Sequence, residues 1–148
     1  MAKVNVYLTF DGNCEDAFNF YKSILGGEFF MISRFGDMPP QEGMPPISDE
    51  YKNRVMHVSF PVSKETVLMG SDSIPGMHQV IQGNNFSISV HTDIREEADR
   101  IFKGLSEGGT VTMPMSDTFW GAYFGMWTDK YGINWMVNYD DPSKTQPH

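Results

Sequence analysis

The chain has 148 residues and a formal net charge of -8. That is length for one domain with a sizeable core, and the wrong sign of charge for a nucleic-acid partner. Its one cysteine, Cys14, excludes an internal disulfide and a thiolate zinc site.

MAKVNVYLTF enters an alternating pattern at once, with no room for a signal peptide, and no run nears the roughly 20 apolar residues of a membrane helix. A cytoplasmic protein with no membrane partner is expected. Residues 4–10 place Val4, Val6, Leu8 and Phe10 on one strand face and Asn5, Tyr7 and Thr9 on the other. DGNCEDAFNFYKSILGG then reads as a helix. Asn13 is its expected N-cap, Ala17, Phe20, Tyr21, Ile24 and Leu25 form its stripe, and Gly26-Gly27 stop it. A second strand is expected over 28–35. Residues 55–62 and 65–72 read as a hairpin around Ser63-Lys64. Between them, 36–54 has four prolines and no periodicity, the pattern of a lid, a binding loop or a solvated excursion.

The order then repeats. Residues 86–92 alternate, and DIREEADRIFKGLSEGG carries Asp93 and Glu96 at capping-box spacing, with Ile94, Ala98, Ile101, Phe102 and Leu105 on one stripe. TVTMPM, AYFGMWTD and INWMVNY follow as three strands. EDAFNFYK (15–22) lies over EEADRIFK (96–103), each leading to Gly-Gly and a strand. The repeated β-α-β-β-β order predicts an α+β chain of two βαβββ modules, 1–75 and 84–139, with a tail at 140–148.

If the helices cover one face of each sheet, parity assigns the other. That open face is predicted to carry Asn5, Tyr7 and Thr9, then Val55, His57 and Ser59, then Asn85, Ser87, Ser89 and His91, then Asn134, Met136 and Asn138. Small uncharged polar groups suit a concave pocket better than a solvated face, which draws long charged side chains. His57 and His91 are the candidate general acids or bases, since an imidazole titrates near neutrality. No two-histidine helix motif, phosphate-binding glycine loop, dinucleotide fingerprint or nucleophile elbow is present.

YLTFDGNCEDAFNFYKSILGG, VMHVSF, LMGSD and GGTVTMPMSDTFWGAYFGMWTDKYGINWMVNY, in that order, resemble the PhnB-like branch of the glyoxalase/bleomycin-resistance/dioxygenase (vicinal-oxygen-chelate) superfamily. Some of its members carry the label 3-demethylubiquinone 3-methyltransferase. The resemblance spans residues 3–139 and is most specific in TFWGAYFGMWTDKYGINWMVN. It implies two βαβββ modules curling into a mixed-sheet cup, and a homodimer. The superfamily's metal-ligand positions fall near Asn5, Met69, Asn85 and Met136, where amides and thioethers stand in place of imidazoles and carboxylates. No metal or other cofactor is therefore expected, and no glycine-rich loop supports S-adenosylmethionine. The expected function is small-molecule binding, or cofactorless chemistry, by a cup lined with Asn5, Tyr7, His57, Ser59, Met69, Asn85, Ser87, Ser89, Asn134, Met136 and Asn138. Two alternatives stay open. One is a metal-dependent lyase or dioxygenase recruiting His57, His91 and Asp72; the other is a partner-binding module acting through loop 36–54.

Overall fold

The computed structural model describes residues 2–39, 42–43 and 45–143. The chain divides into two compact units, 1–81 and 82–148. The first contains β1 (Val6–Phe10), α1 (Cys14–Leu25), β2 (Met31–Arg34), two single-turn 3-10 helices, β3 (Val55–Pro61) and β4 (Val67–Asp72). The second contains β5 (Ile88–Thr92), α2 (Arg95–Ser106), β6 (Thr110–Asp117), β7 (Ala122–Thr128) and β8 (Asn134–Asp140). Each unit is a four-stranded mixed sheet, in the orders β1-β4-β3-β2 and β5-β8-β7-β6. The outer pairs β1–β4 and β5–β8 are parallel and the rest antiparallel. The two βαβββ modules read from the sequence are thus the observed architecture.

The core of each unit lies between its helix and one sheet face. In the first, Leu8, Phe10, Val58, Phe60 and Leu68 are buried with Cys14, Ala17, Phe18 and Tyr21 of α1. In the second, Ala98, Ile101 and Leu105 of α2 are buried with Trp127, Trp135 and Val137. Trp127 and Trp135 sit in register on adjacent strands with parallel rings 6.2 Å apart, and Phe102 meets Trp127 edge-on. Of the eight aromatic side chains in 119–139, Trp127 and Trp135 are buried in this core, while Phe119 and Trp120 are exposed.

Several boundaries differ from expectation. β1 begins at Val6, leaving Val4 exposed. β2 is only four residues long, because Gly26 and Gly27 (φ 79° and 91°) turn the chain away before it rejoins the sheet. Phe29 instead packs on Phe18 and Phe60. Val55 is not on the open face: a bulge between Ser33 and Arg34 shifts the register, and Val55 is fully buried. Segment 36–54 is not featureless. It holds the 3-10 turns Phe35–Asp37 and Asp49–Tyr51, and its base is closed by Gly36 N–H to Lys52 O (2.8 Å) and Phe35 N–H to Arg54 O (3.1 Å).

Both expected helix caps are absent as well. The Asn13 side chain makes no capping bond. Asp72, at the end of β4, accepts from Cys14 N–H at 2.9 Å and Gly12 N–H at 3.0 Å, and its other oxygen takes Val55 N–H at 2.8 Å. At α2 the N-cap position is Ile94, so Asp93 and Glu96 form no capping box.

Candidate functional site

The face of each sheet turned away from its helix carries the uncharged polar groups. In the first unit one cross-strand row runs Tyr7, Met69, Ser59, Met31 over all four strands. One step along, Thr9 lies opposite Ser71, and Ser33 opposite His57. The Tyr7 hydroxyl lies 3.4 Å from His57 Nδ1, with the rings 5.8 Å apart. His57 therefore has an orienting neighbour that no sequence motif announced. Ser33 Oγ is buried with no hydrogen-bond partner among the described residues. Ser33 and Met31 were missed in the sequence because the expected strand over 28–35 started too early for its parity to be read.

In the second unit the corresponding row is Ser89, Met136, Met126, Met113, and the next is His91, Asn138, Phe124, Ser116. Asn138 Nδ2 donates to Asp140 Oδ1 at 2.9 Å and sits 3.4 Å from His91 Nδ1. A carboxylate fixes which end of the amide faces it, so His91 Nδ1 is the acceptor and the ring proton is placed on Nε2, 3.4 Å from Ser89 Oγ. Met113, Met126 and Phe124 were not singled out in the sequence. Their signal was present in the alternation of β6 and β7, but bulges in β6 break its parity.

Other predicted site residues are placed differently. Asn85 and Ser87 precede β5, outside any strand pairing. Asn5 lies just before β1, and its Oδ1 accepts Val67 N–H at 3.4 Å. The Asn134 amide is engaged at both ends. Its Oδ1 accepts the Thr128 hydroxyl at 2.7 Å, and its Nδ2 donates to the carbonyls of Gly83 and Phe86. Asn134 thereby pins the approach to β5.

A cleft of about 590 Å³ opens elsewhere in the first unit, beyond the ends of β1 and β4, lined by Asp11, Ser73 and residues 75–80. None of the predicted site residues lines it. Its carboxylate, Asp11, is paired with Arg54 at 2.8 Å, and its imidazole is that of His78.

The fold is that of glyoxalase/bleomycin-resistance/dioxygenase domains: it superposes on such a domain from Frankia sp. EAN1pec with a TM-score of 0.66 at 13% identity, covering 96% of this chain and 94% of that one. Within that class, the chain belongs to the family described as 3-demethylubiquinone-9 3-methyltransferase, matched over residues 2–138. It is 32% identical to Protein YjdN of Escherichia coli (strain K12), over 95% of this chain and 97% of that one. Protein PA1353 from Pseudomonas aeruginosa is 38% identical, with a TM-score of 0.82 and coverage of 95% and 98%. The putative 3-demethylubiquinone-9 3-methyltransferase, PhnB protein, from Bacillus cereus is 27% identical, with a TM-score of 0.73 and coverage of 93% and 99%. The chain is thus a PhnB-like protein.

The residues present do not fit the groups this kinship suggests. Among the described residues no three His, Cys, Asp or Glu side chains cluster to hold a metal ion. The four residues across the Tyr7 row, and the four across the Ser89 row, offer only thioethers and hydroxyls. Those are weak ligands for the hard or borderline divalent ions. Asp72, one of the three alternative ligands, is spent on three backbone N–H groups. The β1–α1 turn, where a parallel sheet offers a nucleotide its helix N-terminus, is filled by that same carboxylate.

Proposed function

We propose that this PhnB-like protein binds a small molecule on the open faces of its sheets, and that chemistry there proceeds without a metal. The observation that carries this reading is the matched chemistry of the two faces. Each combines thioethers and hydroxyls in one cross-strand row with an imidazole beside it, and each imidazole has a partner that orients it, Tyr7 for His57 and Asn138 for His91. Methionine adapts its shape to the ligand, while hydroxyls and imidazoles set the ligand's orientation. An oriented neutral imidazole is also the general base that cofactorless proton transfer needs.

The resemblance adds a homodimer to this reading, and Val4, Phe30 and Ile81 in the first unit are exposed apolar side chains that such a contact would cover. The test is elemental analysis of untagged protein followed by a small-molecule thermal-shift screen, repeated on His57→Leu and His91→Leu. The expected result is no stoichiometric divalent ion, and ligand-induced shifts that shrink in at least one variant. A retained ion lost on either substitution would reverse the reading in favour of the metal-dependent alternative.

A further inference from the structure

The loop joining β6 to β7 carries two large aromatic side chains in the open. Phe119 is 97% exposed and Trp120 46%, although the loop that holds them is well tied. Thr118 N–H donates to Ala122 O at 2.8 Å, Ala122 N–H returns a bond to Thr118 Oγ1 at 3.1 Å, and Gly121 supplies the positive φ of 92° that the turn requires. Rigid, exposed aromatics of this size mark a contact surface. The rings form a chain. Phe119 meets Trp120 edge-on at 4.9 Å, Trp120 meets Phe124 at 6.5 Å, and Phe124 lies directly across from Asn138 on the open face. Beside Phe124 runs the thioether row of Met113, Met126 and Met136. At the far edge His91 presents an Nε2–H and Ser89 a hydroxyl.

We propose that this face takes a planar aromatic ring bearing one hydrogen-bond acceptor, a neutral phenol or aryl carbonyl. Resting on the small-molecule reading above, this names the class of ligand. The ring lies over Phe124 and the thioethers, walled by Trp120, and its oxygen accepts from His91 Nε2. Sulfur and ring edges favour an aromatic surface over a saturated one. The carboxylate of Asp140, beside Asn138 on β8, disfavours an anion. With the Asn138 N–H directed at Nδ1, the ring's donor is Nε2–H.

The experiment is calorimetric titration of the intact protein with a naphthol, with the ring-saturated decalol of the same skeleton, and with naphthalene. The naphthol should bind one per chain, and the decalol and naphthalene about tenfold more weakly. Trp120→Leu keeps bulk but removes the ring, and should weaken naphthol binding about tenfold. His91→Leu should erase the difference between naphthol and naphthalene. Both sites are exposed, and an unchanged melting temperature confirms folding. Equal binding of decalol and naphthol, or indifference to both substitutions, overturns the proposal. If naphthol fails while non-aromatic compounds bind and depend on His57, the ligand class is wrong and the broader reading stands. If nothing of either kind binds, both fall.

Discussion

The two units share a topology but secure it differently. In the first, a buried carboxylate acts at long range: Asp72 ends β4, caps α1 and holds the start of β3. In the second, the buried carboxylate acts locally. Asp129 accepts from Tyr131 N–H and Ile133 N–H in the β7–β8 turn and from Trp135 Nε1 at the start of β8, all within six residues. The same side chain can therefore close a tertiary loop in one module and a hairpin in the other. Removing it tests how each module is held. Asp72→Ala strands two fully buried N–H groups, and roughly 3–5 kcal/mol of stability should be lost in urea denaturation. Asp129→Ala strands one buried donor and two in a surface turn that water reaches, so about 2 kcal/mol is expected. Equal losses would mean that the range of the contact does not matter here.

Cys14 offers a second reading of the same contrast. Burial pushes its thiol pKa up, and the carboxylates of Asp72 and Glu15 push it further. The native thiol should be inert to a disulfide reagent and react only when the start of α1 opens. Asp72→Ala should speed that labelling well beyond what Asp129→Ala does. Rates that rise in each variant only in proportion to its loss of global stability would show that α1 opens only with the whole protein.

Two strand glycines sharpen the comparison at smaller scale. A Cβ on Gly70 would lie 2.6 Å from the Phe18 ring and 2.9 Å from the Leu8 carbonyl of the neighbouring strand. The ring is fully buried and the carbonyl is backbone, so neither has room to yield. On Gly125 the first contact is Met115 Sδ at 2.5 Å, the end of a flexible side chain. Overpacking should cost about 3 kcal/mol for Gly70→Ala and about 1 kcal/mol for Gly125→Ala. A larger loss at Gly125 would mean that Phe102, not Met115, sets the limit there.

The same contrast explains what was legible in the sequence. Alternation gave the faces of β1 and β8, because a half-buried strand writes its environment into every second residue. It failed at Val55, where a bulge slips the parity, and at Asn85 and Ser87, where alternation ran on past the end of pairing. The helix starts were misread for a different reason. Asn13 and Asp93 have the local chemistry of caps, but at α1 the donors were taken by a carboxylate 58 residues away. The orienting partners of His57 and His91 lie 50 and 47 residues off and leave no spacing to detect. Trp120 was visible as composition but not as a wall, since its neighbours depend on the turn at 118–121.

The smallest expected effect separates two ion pairs by pH. Glu15 pairs with Arg34 at 2.6 Å across 19 residues, tying α1 to β2, whereas Glu97 pairs with Arg100 one turn away on α2. In each case the hydrogen bond from arginine holds the glutamate pKa below its ordinary value, with charge attraction adding to it. A depressed carboxylate pKa stabilises the fold above the unfolded value of about 4.3, and that contribution is lost as pH falls through the folded value. Glu15→Gln should therefore flatten the decline in stability below about pH 4.5, by no more than a few tenths of a kcal/mol, because both side chains are partly solvated. Glu97→Gln should do less, since its pair also forms in an isolated helix and is partly retained on unfolding. Parallel melting curves of the two variants against pH decide it. If Glu97→Gln flattens the acid limb more, then a contact within one helix turn contributes more acid stability than the one that ties α1 to β2.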